Sequence, residues 1–187
     1  SLEKVTSAPY FLTVGNIKPH KNIQLLCRAF ACIADKCSAD LVLVGEYTGF
    51  HTAEISPDTL SALCPGRIRF TGAVAQNELI HLVANAQALI FPSRYEGFGL
   101  PPLEALAVGT PVIAADIPPV REVCSEHVRY FPPDNEQSLA QRMLEVIALS
   151  PEERRASGEV GCAHARQFSW EAAAQKTAVA LRKVLGI

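Results

Sequence analysis

The sequence has no long hydrophobic run, since no stretch approaches the roughly 20 apolar residues that a membrane-spanning helix needs. It also has little excess charge: 17 Lys and Arg residues against 19 Asp and Glu residues give a formal net charge of −2. This balance argues against a surface for nucleic acid or for acidic lipid. Residues 1–4 do not resemble the start of a signal peptide. The first strand is predicted within about ten residues of the start, so we expect the chain to be part of a longer protein.

Metal-binding and disulfide patterns are absent as well. The six cysteines form no C-x-x-C pair, and the sequence contains no D-x-D or H-E-x-x-H cluster. Free cysteines behave as small buried hydrophobic residues, whereas a disulfide or zinc framework shows regular short spacings. We therefore expect no metal, no other cofactor and a location in the reducing cytoplasm.

Apolar runs alternate with helical stripes along the 187 residues, of which 49% are hydrophobic. Helices are predicted at residues 22–37, 58–63, 76–85, from 101 and at 118–124, with capping boxes at Asp134/Gln137 and Ser150/Glu153 and a last amphipathic helix from Ser169. Residues 46–57 are predicted to be a polar loop. Strands are predicted at residues 9–15, 40–45, 67–70, 88–92, 110–115 and 128–131. This alternation predicts one Rossmann-like α/β domain, a doubly wound parallel sheet of about six strands with additional C-terminal helices.

The strand, turn and helix between residues 88 and 109 form the most informative stretch. Gly97 and Gly99 lack a Cβ, so the turn can adopt positive φ and approach a ligand closely. A glycine-rich turn before a helix N-terminus can bind an anion. Glu96 in this turn and Glu104 in the helix, eight positions later, suit hydroxyl groups on either side of a diphosphate. Alternatively, Glu104 is only a favourable first-turn acid and Glu96 a solvated loop charge.

The loop after the first strand contributes Lys21 just before a helix. A lysine there can reach a phosphate as a point charge, although exposed lysines at helix starts are also common. In the usual doubly wound order, strands 1 and 4 are neighbours, and ligands bind where their loops meet. The loops at residues 15–22 and 92–100 are therefore expected to line one crevice. Arg94 is expected only to solvate its turn, and Arg121 to be structural.

Residues 92–116, with their E-x7-E spacing, are similar to the signature region of the retaining glycosyltransferases of family 4 (glycosyl transferases group 1). Four further blocks, in order, also resemble this family: residues 10–22, 70–74, 117–123 and 130–134. The resemblance implies the C-terminal, donor-binding domain of a GT-B fold, with the N-terminal acceptor domain absent from this chain. It is strongest for the mannosyltransferase-like subgroup, which favours GDP-mannose or a related donor for polysaccharide biosynthesis.

The resemblance also implies roles for individual residues. Glu96 and Lys21 are expected to be catalytic, with Glu96 on the transferred sugar, Lys21 on the diphosphate and Glu104 on the ribose. Asn16 stands where many members of the family have arginine, which leaves one phosphate contact in doubt. The donor-binding residues are expected to be Gly15, Asn16, His20, Lys21, Val74, Ser93, Glu96, Gly97, Phe98, Gly99, Leu100 and Glu104.

The implied partners are a nucleotide-sugar donor and an acceptor domain of the same full-length chain, with any membrane association only through that missing domain. The fragment alone is expected to bind donor and transfer nothing. Glu96→Gln is expected to leave the binding of a sugar-free diphosphate almost unchanged. Two alternatives remain: an epimerase or phosphorylase of the same architecture, and a non-catalytic binding module.

Overall fold

The computed structural model describes residues 8–46 and 56–186, and within them six strands form one sheet. All neighbouring strands are parallel and follow the order β3-β2-β1-β4-β5-β6, which confirms the predicted doubly wound sheet with strands 1 and 4 adjacent. The strands are β1 (Tyr10–Val14), β2 (Asp40–Val44), β3 (Ile68–Gly72), β4 (Ala88–Phe91), β5 (Val112–Ala115) and β6 (Arg129–Phe131).

Helices connect the strands and cover both faces of the sheet. They are α1 (Ile23–Ala31), α2 (Pro57–Ser61), α3 (Gln76–Asn85), α4 (Leu100–Ala107), α5 (Pro118–Cys124), α6 (Glu136–Ile147), α7 (Pro151–Ala165) and α8 (Trp170–Leu185). The central strands are largely apolar because both faces are buried: Leu12, Leu89 and Ile113 are at most 1% exposed. Residues 47–55 of the predicted polar loop lie outside the described part of the chain.

The first helix is shorter than predicted. It ends at Ala31 and not near Cys37, and a short 3-10 helix follows at Ala34–Lys36. The guanidinium group of Arg67 donates hydrogen bonds to the carbonyl oxygens of Ala34, Cys37 and Ala39. These side-chain bonds hold the segment that follows α1, and a contact 30 residues away cannot be seen in the local pattern.

One of the two predicted capping boxes is confirmed and the other is wrong. Ser150 and Glu153 make both reciprocal bonds at the start of α7. Asp134 caps no helix: the N-cap of α6 is Asn135, whose side-chain oxygen accepts from the N–H of Ser138 at 2.8 Å. Asp134 instead adopts a positive φ of 60°, and its carboxylate accepts hydrogen bonds from Asn22 and Arg94.

The strand ends on one side of the sheet lie very close together. The N–H of Gly15 donates to the carbonyl of Val44 at 2.8 Å, and the N–H of Gly45 donates to the carbonyl of Gly72 at 3.0 Å. A Cβ on Gly45 would lie 2.2 Å from the carbonyl oxygen of Gly15. Only glycine fits there, so the loops after β1 and β2 pack against each other with no side chain between them.

The last helix begins as predicted, with the side chain of Ser169 accepting from the N–H of Ala172. Its apolar residues are nonetheless exposed, and α8 has no buried residue. Trp170 is 78% exposed and Val184 is 83% exposed. Over residues 8–46 and 56–186, no helix is long and apolar enough to cross a membrane.

Candidate functional site

Two loops meet above the carboxyl ends of β1 and β4, as the strand order predicts. We call residues 15–22 the β1 loop and residues 92–99 the β4 loop. The N–H of Arg94 donates to the carbonyl of His20 at 2.8 Å, and the rings of His20 and Tyr95 make an edge contact with centroids 5.7 Å apart. The two loops that were predicted to line one crevice are therefore in contact.

Lys21 and Glu96 form the centre of this crevice. Lys21 Nζ lies 2.5 Å from Glu96 Oε1, and the two side chains are only 20% and 16% exposed. The ammonium also lies 5.4 Å from the centroid of the Phe91 ring, a cation–π distance. Glu96 is thus not a merely solvated loop charge. The two predicted catalytic residues, 75 positions apart in the chain, are in direct contact.

Ser93 is a buried polar residue in the same crevice. It is 1% exposed, and among the described residues its Oγ has no hydrogen-bond partner. It lies beside Gly15, Asn16 and Lys21. A buried hydroxyl without a partner costs roughly 1–3 kcal/mol, so Ser93 has an unused hydrogen-bonding group next to Lys21.

The turn before α4 presents backbone donors. Gly99 has a φ of 103° and serves as the N-cap of α4, whereas Gly97 does not have a positive φ, contrary to the expectation for that residue. In the described part of the chain, the N–H groups of residues 97–100 donate no hydrogen bond. Pro101 and Pro102 have no N–H, so the helix itself adds few donors. The anion-binding potential therefore lies in the turn more than in the helix.

Glu104 lies on the exposed face of α4, and its side chain makes no ion pair or hydrogen bond with the described residues. Together with Phe98 and Leu100 it lines an open groove of about 450 Å³ between α4 and the start of α8. Phe98 contacts Phe168 across that groove, with ring centroids 6.4 Å apart. Glu104 is thus available to a ligand, one helical turn beyond the glycine turn.

The remaining predicted donor-binding residues are more peripheral. Asn16 is exposed and accepts a hydrogen bond from the N–H of Glu46 at 3.4 Å. Val74 is half-buried and packs against the core. Asn16 lines the same crevice as Lys21 and Ser93, and Val74 is not part of that lining.

Sequence reasoning missed a second polar cluster. One oxygen of Asp134 accepts from Asn22 Nδ2 at 3.0 Å and from Arg94 Nε at 2.7 Å. The expectation that Arg94 only solvates its turn is therefore wrong. The residue types were the only signal in the sequence: asparagine and aspartate are the residues other than glycine that most readily adopt positive φ. In the structure Asn22 has φ 54° and Asp134 has φ 60°.

At the next strand end, Arg121 forms a two-pronged ion pair with Asp116, with both N···O distances 2.6 Å. The hydrogen bond from Arg121 holds the pKa of Asp116 below its ordinary value. Arg121 also lies 4.3 Å from the centroid of the Tyr130 ring. This agrees with the structural role expected for Arg121. Among residues 8–46 and 56–186, no group of three His, Cys, Asp or Glu side chains could hold a metal ion.

Comparisons with known proteins fit this geometry. A family model described as "Glycosyl transferases group 1" matches residues 1–161. The O-antigen chain mannosyltransferase RfbU of Salmonella typhimurium is 36% identical over 73% of this chain and 38% of its own length. The O-antigen chain mannosyltransferase B of Escherichia coli is 31% identical over 87% of this chain and 42% of its own length. The chain thus spans about four tenths of the length of these relatives.

Solved structures of other proteins superpose on nearly the whole chain. Sucrose-phosphate synthase from Thermosynechococcus elongatus superposes with a TM-score of 0.83 and 28% identity, over 96% of this chain and 46% of the other. The Anabaena protein Alr3699/HepE, solved with UDP and glucose, superposes with a TM-score of 0.79 at 20% identity, over 97% of this chain and 50% of its own. At 20% identity, the similarity to Alr3699/HepE shows a shared fold and carries no conclusion about function.

Proposed function

Because the chain belongs to the glycosyl transferases group 1 family, we propose that it is the donor-binding domain of a glycosyltransferase that uses a nucleoside-diphosphate sugar. An acceptor domain elsewhere in the full-length protein would complete the enzyme. The chain's span of about four tenths of its mannosyltransferase relatives supports such a division. In this proposal the domain alone binds donor and transfers nothing.

The observation that carries the proposal is the clustering of unused donors around a cation. Lys21 lines the crevice together with Ser93, the four N–H groups of residues 97–100 are unbonded within the described chain, and the Ser93 hydroxyl has no partner there either. Such an arrangement favours an anion with several oxygens, because preorganised donors in a partly closed site stabilise developing negative charge. A diphosphate leaving group has this chemistry.

The two glutamates divide the ligand in this account. Glu96, beside Lys21, would hold hydroxyls of the transferred sugar, and Glu104, exposed on α4, would hold the ribose. As the sugar–phosphate bond breaks, Lys21 and the turn would stabilise the departing diphosphate while the Glu96 carboxylate stabilises the oxocarbenium-like sugar. The proposal assigns no step to a metal ion.

The sugar and the base are proposed from relatives. Two mannosyltransferases are among the similar proteins, which supports GDP-mannose or a related GDP-sugar as donor. A cytoplasmic location would follow from that substrate.

A thermal-shift panel tests the proposal. GDP, GDP-mannose, UDP, UDP-glucose and ADP-glucose are each added at several concentrations without divalent metal. A ligand that binds only the folded chain raises its melting temperature in proportion to RT ln(1 + [L]/Kd). We expect GDP and GDP-mannose to give the largest shifts. If none of the five ligands shifts the melting temperature, the chain is not a donor-binding domain.

A further inference from the structure

We propose that Asp134 is a positioning residue that fixes the β1 loop against the β4 loop, so that Lys21 and Glu96 meet in the geometry that the ligand requires. The part of this inference that concerns ligand affinity rests on the proposed function. The part that concerns the two loops stands on the structure of the ligand-free chain.

The geometry of Asp134 joins the two loops through one atom. Its Oδ1 accepts from Asn22 Nδ2 at 3.0 Å and from Arg94 Nε at 2.7 Å. Asn22 directly follows Lys21, and Arg94 lies two residues before Glu96. The carboxylate, contributed by the segment after β6, therefore contacts both loops within two residues of their charged side chains.

The backbone around Asp134 supports a positioning role. Asn22 has φ 54° and ψ 35° and is 6% exposed, and Asp134 has φ 60°. Left-handed backbone in residues other than glycine costs free energy and persists where surrounding contacts hold it. Here each of the two residues in that conformation is held by the other's side chain.

A purely structural explanation would make Asp134 the cap of α6, but Asn135 already fills that position. The neighbouring Arg28–Glu136 ion pair, with an N···O distance of 3.0 Å, also links α1 to the start of α6. It touches neither Lys21 nor Glu96. This pair is a matched control, since it is an exposed charge pair at the same interface but outside the site.

Hydrogen exchange in the ligand-free protein tests the link between the loops. The N–H of Lys21 donates to the carbonyl of Lys18 at 2.9 Å, and the N–H of Arg94 donates to that of His20 at 2.8 Å. In Asp134→Ala we expect both amides to exchange roughly two- to fivefold faster, because the carboxylate that bonds to both loops is lost, although Asp134 and Arg94 are half-exposed. Glu136→Gln should leave the two amides as in the wild-type protein.

Calorimetric titration distinguishes a positioning role from a purely structural one, because a structural defect would weaken GDP and guanosine binding alike. Asp134→Ala should weaken GDP binding about tenfold while guanosine binding stays unchanged, since only the diphosphate needs Lys21 in place. Asp134→Asn, which tolerates positive φ and keeps one acceptor oxygen, should recover part of the loss and serves if Asp134→Ala does not fold.

Equal exchange in the Asp134 variants and in Glu136→Gln would overturn the inference, whether or not GDP binds. Faster exchange with no change in GDP affinity would also overturn it, because the loops would then move without affecting the ligand. If the wild-type protein binds none of the five ligands of the thermal-shift panel, the proposed function falls, while the exchange result still decides whether Asp134 holds the two loops together.

Discussion

At the scale of single residues, the contact between Lys21 and Glu96 alters what each is expected to do. The ammonium that would bind a diphosphate is already neutralised by a carboxylate 2.5 Å away. A phosphate must therefore share or displace Glu96, and Glu96 also repels the anion directly. In the ligand-free chain the two residues therefore form one coupled unit, so a change at Glu96 also alters the charge that Lys21 presents to the diphosphate.

Glu96→Gln tests this coupling. The sequence alone suggests that a sugar-free diphosphate would not sense the change. With the ion pair in place, we expect GDP to bind more tightly, by up to about fivefold, the worth of one weakly exposed ion pair. GDP-mannose should bind more weakly, because the sugar loses a charged hydrogen-bond acceptor. Calorimetric titration of both ligands gives the comparison, and weaker GDP binding would show that the pair helps to hold the anion.

The buried hydroxyl of Ser93 is the basis of a second prediction at the scale of single residues. Removing a buried hydroxyl that has no partner among the described residues should stabilise the ligand-free chain, so we expect Ser93→Ala to raise the free energy of unfolding by about 1 kcal/mol. The same change should weaken GDP binding, because the hydroxyl finds its partner in the ligand. Urea denaturation measures the first effect and calorimetry the second. A variant that is less stable and binds GDP normally would mean that Ser93 has a structural partner.

At the scale of secondary-structure elements, the close approach of the β1 and β2 ends shapes the crevice. We expect Gly45→Ala to lower the free energy of unfolding by several kcal/mol, because its Cβ would lie 2.2 Å from the Gly15 carbonyl. Gly66→Ala is the control: Gly66 has φ 75°, and a Cβ there would meet no described atom within 4 Å, so it should cost only the strain of left-handed backbone, about 1–2 kcal/mol. If urea denaturation gives similar losses of unfolding free energy for Gly45→Ala and Gly66→Ala, the loops after β1 and β2 can move apart to accept a side chain.

Buried titratable groups of β1 and α1 predict an alkaline limit to stability. Burial raises the pKa of Tyr10 from 10.0 to about 12 and that of Cys27 from 9.0 to about 12. Both groups stay protonated in the folded chain while the unfolded chain releases their protons, so the free energy of unfolding should fall as pH rises from about 9 to 12. Urea midpoints at about pH 8, 9.5 and 11 measure this. Tyr10→Phe should flatten the fall above about pH 10, and an unchanged slope would contradict the assignment to Tyr10.

The elements were largely predictable, and their interactions were not. Apolar runs and the alternation of strands with helices predict the six strands and their order, because these signals are local or follow from general topology. The segment after α1 is held by hydrogen bonds from Arg67. The N-cap of α6 is Asn135 and not Asp134. The pairs Lys21–Glu96 and Asn22–Asp134 join residues 75 and 112 positions apart. Distances between side chains of distant segments are fixed by packing, which a single sequence does not display.

At the scale of the whole molecule, one edge of the sheet gathers the features of a binding site. The β1 loop, the β4 loop and the segment after β6 meet there, and the groove beside Glu104 opens towards α8. The apolar residues of α8 remain exposed, so the helix adds little to the core of this domain. The central claim is therefore that this sheet edge binds a nucleoside diphosphate through Lys21.

Calorimetric titration with GDP in the presence of EDTA tests that claim most directly, using the wild-type chain, Lys21→Ala and Lys18→Ala. Lys18 is an exposed lysine of the same loop and serves as the matched control. We expect the wild-type protein and Lys18→Ala to bind GDP without metal and Lys21→Ala to bind it roughly tenfold to a hundredfold more weakly, the worth of a charged hydrogen bond. Guanosine binding should not distinguish the three proteins. Equal GDP affinity in all three, or binding only when a divalent metal is restored, would contradict the account.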